Sequence, residues 1–494
     1  MDLIMGFDNA LTLHNLFYCF LGCVMGTLVG VLPGLGPSST LAILLPLTLF
    51  LDPTGSIIML AGIWYGAAYG GSTTSILVNI PGEAGSVPTT FDGFPMTKQG
   101  RAGEALFISA VGSFIAGTIG VSAMVVIGPV LVKYALKFGP PEYFGLLIFS
   151  LSTIISLSGR SIIKGLASGL VGVIITTVGV DPMVGITRFT FGSKSLMRGV
   201  ELVPIVVGLF GIGEILSSAE AGIGKIYEGK IGKLIPRGKE MTKGLLASLR
   251  GSIVGFLPGV LPGMIPALTA FFSYDLEKRI SKYPEKFGSG MIEGVAGPES
   301  ANNATAQAAF LPLMVFGIPT APSMAILLGA LMLYGLQPGP TLFIQNREFI
   351  WTVIASMYIG NVMLVILNLP LVGLWARISR VPYKYLGPTI LAVCVVAAYS
   401  PRNTLFDVWV AFGAGIVGYI MRKGDWPIAP LILGFILGDM LELSLRQSVS
   451  MGGPMIFLKR PIPLVFIILT LGIIITSIKY LKRIPKAFRK ESDK

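Results

Sequence analysis

The chain has 494 residues, of which 53% are apolar and only 13% are charged, and its mean hydropathy is +0.78. Soluble globular proteins carry about a quarter of charged residues, so this composition excludes an ordinary soluble domain and favours a membrane protein. The net charge is +12, but Lys and Arg gather in short connections and at the carboxyl end. That distribution is typical of cytoplasmic loops and predicts no nucleic-acid partner.

Long uncharged stretches indicate the membrane segments. They lie between Asp52 and Glu83, between Glu104 and Lys133, and between Glu299 and Arg347. A membrane-spanning helix needs about 20 apolar residues, so each stretch holds one or more crossings. Taken along the whole chain, the hydrophobic segments predict an all-α polytopic membrane protein of about twelve spans.

The basic residues also predict the orientation in the membrane. A basic connection covers residues 218–243 and a basic tail covers 481–494, whereas no Lys or Arg precedes Lys98. Cytoplasmic loops are enriched in Lys and Arg. We therefore expect a multi-pass protein of the cytoplasmic (inner) membrane, with the amino end outside and the carboxyl terminus in the cytoplasm.

Residues able to carry catalytic chemistry are scarce. The chain has one histidine, His14, and its three cysteines, Cys19, Cys23 and Cys394, lie in apolar runs. An enzyme or a metal site would need an activated nucleophile, paired acids or a ligand cluster. The sequence therefore predicts no enzyme, no cofactor and no firm metal-ligand set.

An internal repeat is the strongest signal in the sequence. GTLVGVLPGLGP at residues 26–37 recurs as GSIVGFLPGVLP at residues 251–262. Each copy is followed by a small, polar block within an apolar setting, beginning near Tyr65 and Glu293, and then by Ile80-Pro81-Gly82 or Ile318-Pro319-Thr320. Matched elements in the same order indicate a duplication. The predicted segments are a first membrane repeat (1–217), a basic cytoplasmic connection (218–243), a second membrane repeat with the carboxyl-terminal helices (244–480), and a basic tail (481–494).

The repeated Pro-Gly pairs, Pro33-Gly34 and Pro258-Gly259, point to a transport site. Pro removes a backbone donor, and broken helices persist at membrane depth only where they are buried in protein or line a cavity. Transporters place substrate where discontinuous helices of two repeats meet. The alternative is that Gly and Pro only permit close helix packing. We predict broken helices or re-entrant hairpins in an elevator-like architecture, with the two Pro-Gly pairs as halves of one substrate site.

Several long motifs resemble one transporter family. They include YGGSTTSILVNIPGE from Tyr69, TTFDGFPMTKQGRAGEAL from Thr89, GPESANNA from Gly297, LLGALMLYGLQPGP from Leu327, and the segment DVWVAFGAGIVGYIMRKGDWPIAPLILGFILGDMLELSLRQS from Asp407. Together they resemble the large membrane permease subunit (TctA-type) of tripartite tricarboxylate transporters, over nearly the whole chain.

The resemblance implies a permease that works with a small membrane subunit and an extracytoplasmic solute-binding protein. It also implies ion-driven, usually sodium-coupled, import of citrate-like carboxylates. Thr320 departs from the family, which usually has Gly after this Pro, and Gly452-Gly453-Pro454 replaces an acidic ending. The alternatives that remain are a stand-alone carboxylate permease, a channel and a membrane enzyme; a homodimer is possible.

The candidate substrate-binding residues follow from the breaks, the polar blocks and the family motifs. They are Pro33, Gly34, Ser38, Ser39, Thr73, Thr74, Asn79, Pro81, Gly82, Asp92, Pro258, Gly259, Glu299, Ser300, Asn302, Asn303, Pro319 and Thr320. Sodium is expected near Gly34, Gly259, Asn79 and Asn303, because freed carbonyls and amide oxygens suit it. For Glu299 the alternative is an interfacial helix cap, and for Asp92 it is a loop or turn residue.

Two further groups of charges are expected to be structural. A mixed-charge run predicts a solvated cytoplasmic connection; its members are Asp275, Glu277, Lys278, Arg279, Lys282, Glu285 and Lys286. Asp439, Glu442 and Arg446 have the spacing of a helix-end ion network.

Overall fold

The computed structural model describes residues 2–32, 36–157, 161–221, 232–371, 373–375 and 383–483. Helices make up most of this part of the chain, which confirms the predicted all-α fold. Two compact units are present, and each combines two separate stretches of sequence. Unit 1 is Met1–Leu136 with Glu201–Tyr419, and unit 2 is Lys137–Val200 with Ile420–Lys494.

The elements before the basic connection alternate long helices with short ones. They are α1 (Asp2–Ala10), α2 (Leu13–Val31), α3 (Pro37–Thr48), α4 (Pro53–Val78), a 3-10 turn (Ala84–Ser86), α5 (Val87–Lys98), α6 (Ala102–Ala135), α7 (Pro140–Leu157), α8 (Ile162–Thr176), β1 (Gly179–Val180), β2 (Thr187–Arg188), α9 (Lys194–Met197), α10 (Leu202–Val206), a π-helical segment (Val207–Ile212) and α11 (Gly213–Ala221).

The elements after the basic connection follow a similar alternation. They are α12 (Lys239–Gly259), α13 (Pro266–Ile280), a 3-10 turn (Pro284–Lys286), α14 (Glu293–Ala308), α15 (Phe310–Phe316), α16 (Pro322–Leu333), α17 (Pro340–Gln345), α18 (Arg347–Asn368), α19 (Tyr383–Tyr399), α20 (Leu405–Lys423), α21 (Ile428–Gly452), α22 (Ile456–Lys459) and α23 (Pro461–Arg483).

Matched glycines pack the helix that precedes each break against the helix that carries the polar block of the same half. In the first half, a Cβ at Gly26 would lie 2.5 Å from the carbonyl oxygen of Ile63, where α2 crosses α4. In the second half, a Cβ at the equivalent Gly251 would overlap the carbonyl of Gly297, where α12 crosses α14. Small residues let helix backbones approach closely in a membrane. The repeated glycines therefore set the same helix contact in both halves.

The two Ile-Pro corners also share one backbone conformation. Asn79 ends α4 at φ 60° and Gly317 ends α15 at φ 68°, both in the left-handed region. The N–H groups of Ile80 and Ile318 then donate to carbonyls six residues earlier, at 3.4 and 3.2 Å. Only Gly, and to a lesser extent Asn, adopts this conformation readily at a helix end. The Asn before Ile80 thus corresponds to the Gly before Ile318.

The core of unit 1 is built around α4 and α14. Every residue of α14 is buried, and most of α4 is buried as well. Beneath them lies an apolar cluster of Ile76, Met96, Leu106, Ile108, Ile292 and neighbouring alanines. The two helices that carry the polar blocks are therefore enclosed by protein, which is the setting that polar side chains need at membrane depth.

Unit 2 is held together by close helix packing and a charge network. A Cβ at Gly434 in α21 would overlap the carbonyl of Gly169 in α8. Arg446 pairs with Glu442 at 2.9 Å and with Asp181 at 2.7 Å. The expected structural pairing of Glu442 with Arg446 is therefore present.

The described helices suit a multi-pass membrane protein. Five of them, within the described ranges, are long and apolar enough to cross a membrane: α2, α6, α18, α20 and α21. Further apolar helices of 10–17 residues accompany them. The total of twelve spans, the elevator-like architecture and the boundaries of the four predicted segments remain predictions.

Candidate functional site

The amino ends of α3 and α16 lie next to each other. Pro33 and Gly34 themselves lie outside the described residues, but α3, which begins just after them, packs against α16, which begins just after the second corner. The hydroxyl oxygens of Ser38 and Ser323 are 2.7 Å apart, and each belongs to the first turn of its helix. The amino ends of α3 and α16, which are far apart in sequence, thus meet.

The reciprocal contact is present as well. Helix α13, which begins just after the second break, packs against the 3-10 turn that follows the first Ile-Pro corner. The second corner also contacts the break of its own half: the Gly263 N–H donates to the Thr320 carbonyl at 3.2 Å. In the first half, the corner contacts α2, since a Cβ at Gly82 would overlap the carbonyl of Gly30. Both corners and the helices that begin after the two breaks therefore belong to one assembly.

The amino ends of α3 and α16 form an arrangement suited to anions. Both helices begin with a proline, and no side chain caps either end through a hydrogen bond. Their first-turn N–H groups have no partner within the helix, and each end carries a partial positive charge. The Thr320 hydroxyl, 1% exposed, has no described hydrogen-bond partner nearby. An anion placed here would meet N–H and O–H donors from both halves.

Glu299 is the central buried acid of unit 1. Its two carboxylate oxygens accept hydrogen bonds from the hydroxyls of Ser72, in α4, and Thr89, in α5. The side chain is 0% exposed and lies within α14, not at its end. The alternative of an interfacial helix cap is therefore wrong. Glu299 instead joins the polar block of the second half to that of the first.

Glu83 is a second acid at the site and was not among the predicted site residues. It follows the first corner directly, and its Oε1 accepts a hydrogen bond from Asn302 Nδ2 at 2.7 Å. The sequence signal for Glu83 is its place in the Ile-Pro-Gly-Glu motif. It directly follows Gly82, which must be small because it packs against the Gly30 carbonyl of α2.

Several polar side chains of α14 retain acceptors without a described partner. Asn303 Nδ2 donates to Ser113 Oγ at 2.8 Å and to the Glu299 carbonyl at 3.0 Å, but its Oδ1 has no described partner. Asn302 Oδ1 and Ser300 Oγ are in the same state. Buried acceptors are costly to leave unpaired, so these oxygens are candidates for cation or ligand contacts.

Asp92 has the contacts of a structural anchor. It lies within α5, so the alternative of a loop or turn residue is wrong. Its Oδ1 accepts from the N–H groups of Gly288, Gly290 and Met291 at 2.8–2.9 Å, and its Oδ2 accepts from the Tyr274 hydroxyl at 2.9 Å. This carboxylate holds the segment that enters α14.

The remaining candidates of the first half are divided between the corner and the core. Asn79 is exposed and Gly82 is buried. Thr74 Oγ1 donates to the Gly71 carbonyl at 3.3 Å. Ser39 and Thr73 are buried.

In the second half, Pro258 and Gly259 form the last turn of α12, so the break covers the residues after them. Pro319 is buried in the second corner. The sodium expected near Asn79 and Asn303 remains a prediction. These two residues do not hold matching positions, because the backbone aligns Asn79 with Gly317.

The mixed-charge run is not uniformly solvated. Glu277 is 1% exposed and forms a bidentate pair with Arg250, at 2.8 and 2.6 Å. By contrast, Asp275 and Arg279 form an exposed pair on the same helix. The expectation of a solvated connection is therefore wrong for Glu277, because its partner lies on α12, far away in sequence.

Comparison with known proteins finds one transporter family and two relatives. Residues 16–433 match the sequence profile of the tripartite tricarboxylate transporter TctA family. An uncharacterized 52.8 kDa protein from the TAR-I ttuC' 3' region of Agrobacterium vitis is 45% identical over 474 residues, 94% of this chain and 93% of that protein. A second uncharacterized protein of A. vitis, from the TAR-II ttuC' 3' region, is 48% identical over 197 residues, 40% of this chain and 81% of its own length. No solved structure matches this chain.

Proposed function

Since the chain belongs to the tripartite tricarboxylate transporter TctA family, as its motifs predicted, we propose that it imports tricarboxylates or related organic anions across the cytoplasmic membrane. It does so as the large permease subunit of a binding-protein-dependent transporter. Its partners are a small membrane subunit and an extracytoplasmic solute-binding protein that delivers the substrate. The transport is coupled to a cation, with sodium as the first candidate.

The meeting of the α3 and α16 amino ends supports this proposal most directly. The partial positive charge at each helix amino end favours an anion, and hydroxyl and N–H donors orient a carboxylate there. Ser38 and Ser323 stand at this meeting point, 2.7 Å apart. A citrate-like substrate bears several carboxylates, so it can engage the ends of both helices at once.

The polar groups near the amino ends of α3 and α16 also favour release of the substrate. Between Gly34 and Asn79, and between Gly297 and Pro319, the sequence has Ser, Thr and Asn but no Lys or Arg. Charge-assisted pairs with Arg or Lys in a dry pocket are strong and slow to break, whereas several moderate hydrogen bonds allow turnover. We propose that Ser38, Ser39, Thr320 and Ser323 contact the substrate, and that an elevator-like movement of the paired hairpins carries it across.

Uptake by the reconstituted permease tests the substrate and the partners. Proteoliposomes containing the permease and its small subunit should take up a labelled tricarboxylate only when the purified binding protein is supplied outside. Uptake by the permease alone would refute the tripartite proposal and favour a stand-alone carboxylate permease. Replacing external sodium by potassium should suppress uptake; an unchanged rate would refute sodium coupling.

Two serine variants test the anion site. Ser38→Ala and Ser323→Ala should each raise the substrate concentration for half-maximal uptake by about tenfold, since each removes one hydrogen bond worth roughly 1–1.5 kcal/mol. Ser450→Ala is the matched control, because Ser450 is exposed and bonds only its own helix at Arg446. If both variants retain the wild-type half-saturation value, the substrate does not bind at these helix ends.

A further inference from the structure

Glu83 and Asn302 form a contact between the two halves of unit 1. Glu83 belongs to the first corner and is partly exposed, whereas Asn302 lies in α14 and is 0% exposed. The amide donates to the carboxylate at 2.7 Å. One partner is therefore partly accessible, while the other is fully buried in α14.

Two glycines make room for this contact. A Cβ at Gly71 would lie 2.8 Å from Glu83 Cγ, and a Cβ at Gly85 would overlap the amide oxygen of Asn302. Neither glycine has a positive φ, so backbone conformation does not require them. Their absent side chains are what allow the carboxylate and the amide to meet.

The negative charge at this place is not balanced by protein. Within the described residues, no ion pair includes Glu83 or Glu299. Glu299 lies one helical turn from Asn302 on α14 and has only hydroxyl partners. An unpaired carboxylate inside a membrane protein is costly, so it is neutralised by a bound cation or by a proton.

The unpartnered oxygen of Asn302 supplies a second ligand. Asn302 Oδ1 is buried and has no hydrogen-bond partner among the described residues. Hard oxygens from carboxylates and amides suit a sodium ion. Rotation of the same amide would present its oxygen to a protonated Glu83, since an amide both donates and accepts.

We propose that Glu83 and Asn302 bind a small monovalent cation, either sodium or a proton. This deepens the proposed function, because it assigns the coupling cation to Glu83 in the first corner and to Asn302 in α14, not to Asn79 or Asn303. Filling the site joins a loop of one half to a helix of the other. Cation binding thereby favours the assembled state in which both corners are seated.

Thermal unfolding of the purified full-length permease, without substrate, tests the site directly. The midpoint is measured at constant ionic strength with sodium chloride replacing choline chloride, and again across a range of pH. Ligands that bind the folded state raise the midpoint. The variant is Glu83→Gln, which keeps an acceptor for Asn302. The control is Glu348→Gln, since Glu348 accepts an equally short 2.7 Å bond from Asn9 at an exposed position.

We expect sodium to raise the unfolding midpoint of the wild type. Glu83→Gln should need at least about tenfold more sodium for the same rise in midpoint. Glu348→Gln should respond to sodium as the wild type does. If sodium has no effect but the wild-type midpoint depends on pH, the bound cation is a proton when Glu83→Gln loses this pH dependence and Glu348→Gln keeps it. Glu299 is the other acid on the facing side of α14, so Glu299→Gln is measured beside it. A Glu83→Gln variant that matches wild type in both experiments would overturn the proposal, as would a wild type that responds to neither.

This result is separable from the uptake experiments. Uptake that ignores every cation gradient would refute coupling, even if sodium still stabilises the wild type through Glu83. Conversely, a normal sodium-driven uptake by Glu83→Gln would leave the transport function intact and exclude this cation site.

Discussion

Removing Arg250 tests the energetic value of a buried ion pair between the two helices on either side of the second break. Arg250 lies on α12 and forms two hydrogen bonds with Glu277 on α13, at 2.8 and 2.6 Å. Glu277 is 1% exposed. Arg250→Met would therefore leave a carboxylate buried between two helices without its counter-charge.

The expected cost follows from the exposure of each partner. Breaking a buried pair by removing one member typically costs about 3–5 kcal/mol. The Arg250 side chain is 38% exposed, so water reaches one side of the pair and the lower end of that range, about 3 kcal/mol, applies. The free energy of unfolding, measured by titration with a denaturing detergent, should fall by this amount.

A control pair lies on the same helix. Arg279 and Asp275 are 2.7 Å apart but 75% and 58% exposed, so Arg279→Met should cost less than about 1 kcal/mol. Adding Glu277→Leu to Arg250→Met should recover most of the loss, because it removes the unpaired charge. Equal costs for Arg250→Met and Arg279→Met, or no recovery in the double variant, would refute this reasoning.

Three further predictions concern the breaks and corners. Gly82→Ala should prevent folded protein from accumulating in the membrane, because the added Cβ would overlap the backbone carbonyl of Gly30. Gly36→Ala is the control and should be tolerated, since no atom lies within 4 Å of its added Cβ. Immunoblots of the membrane fraction measure the amount of each variant. Ser38→Cys and Ser323→Cys together should form a disulfide on oxidation. After proteolytic cleavage in the basic connection (218–243), the two halves of the chain should then stay covalently linked. Halves that separate after oxidation would contradict the α3–α16 contact. Asn79→Gly should keep uptake and Asn79→Val should lose stability, because φ is 60°; loss of uptake in the Gly variant would instead identify a side-chain ligand.

The self-comparison of the sequence predicted that the two Ile-Pro elements correspond. In the structure, Asn79 and Gly317 stand before Ile-Pro, and both residue types tolerate the left-handed conformation that ends the helix there. The pairing of Gly26 with Gly251 likewise corresponds to one helix contact repeated in both halves. These features depend on a few neighbouring residues, so a self-comparison of the chain is enough to find them.

The candidate residues were harder to assign to roles. Asp92 and Glu299 are both 0% exposed acids in family motifs, yet one accepts backbone N–H groups of a single loop and the other accepts hydroxyls from two helices. Glu83 and Glu277 were not expected to be important at all. Each of these differences depends on a partner that lies far away in sequence, and spacing along the chain does not reveal such partners.

By itself, the sequence determined the membrane environment, the helical class, the duplication and the family, because composition and local motifs express them directly. Only the tertiary structure decided that α3 meets α16 through Ser38 and Ser323, and that Glu83 meets Asn302. In both cases the reason is physical. Helix ends and corners carry unpaired donors and charges, and which of them face each other depends on how the helices cross.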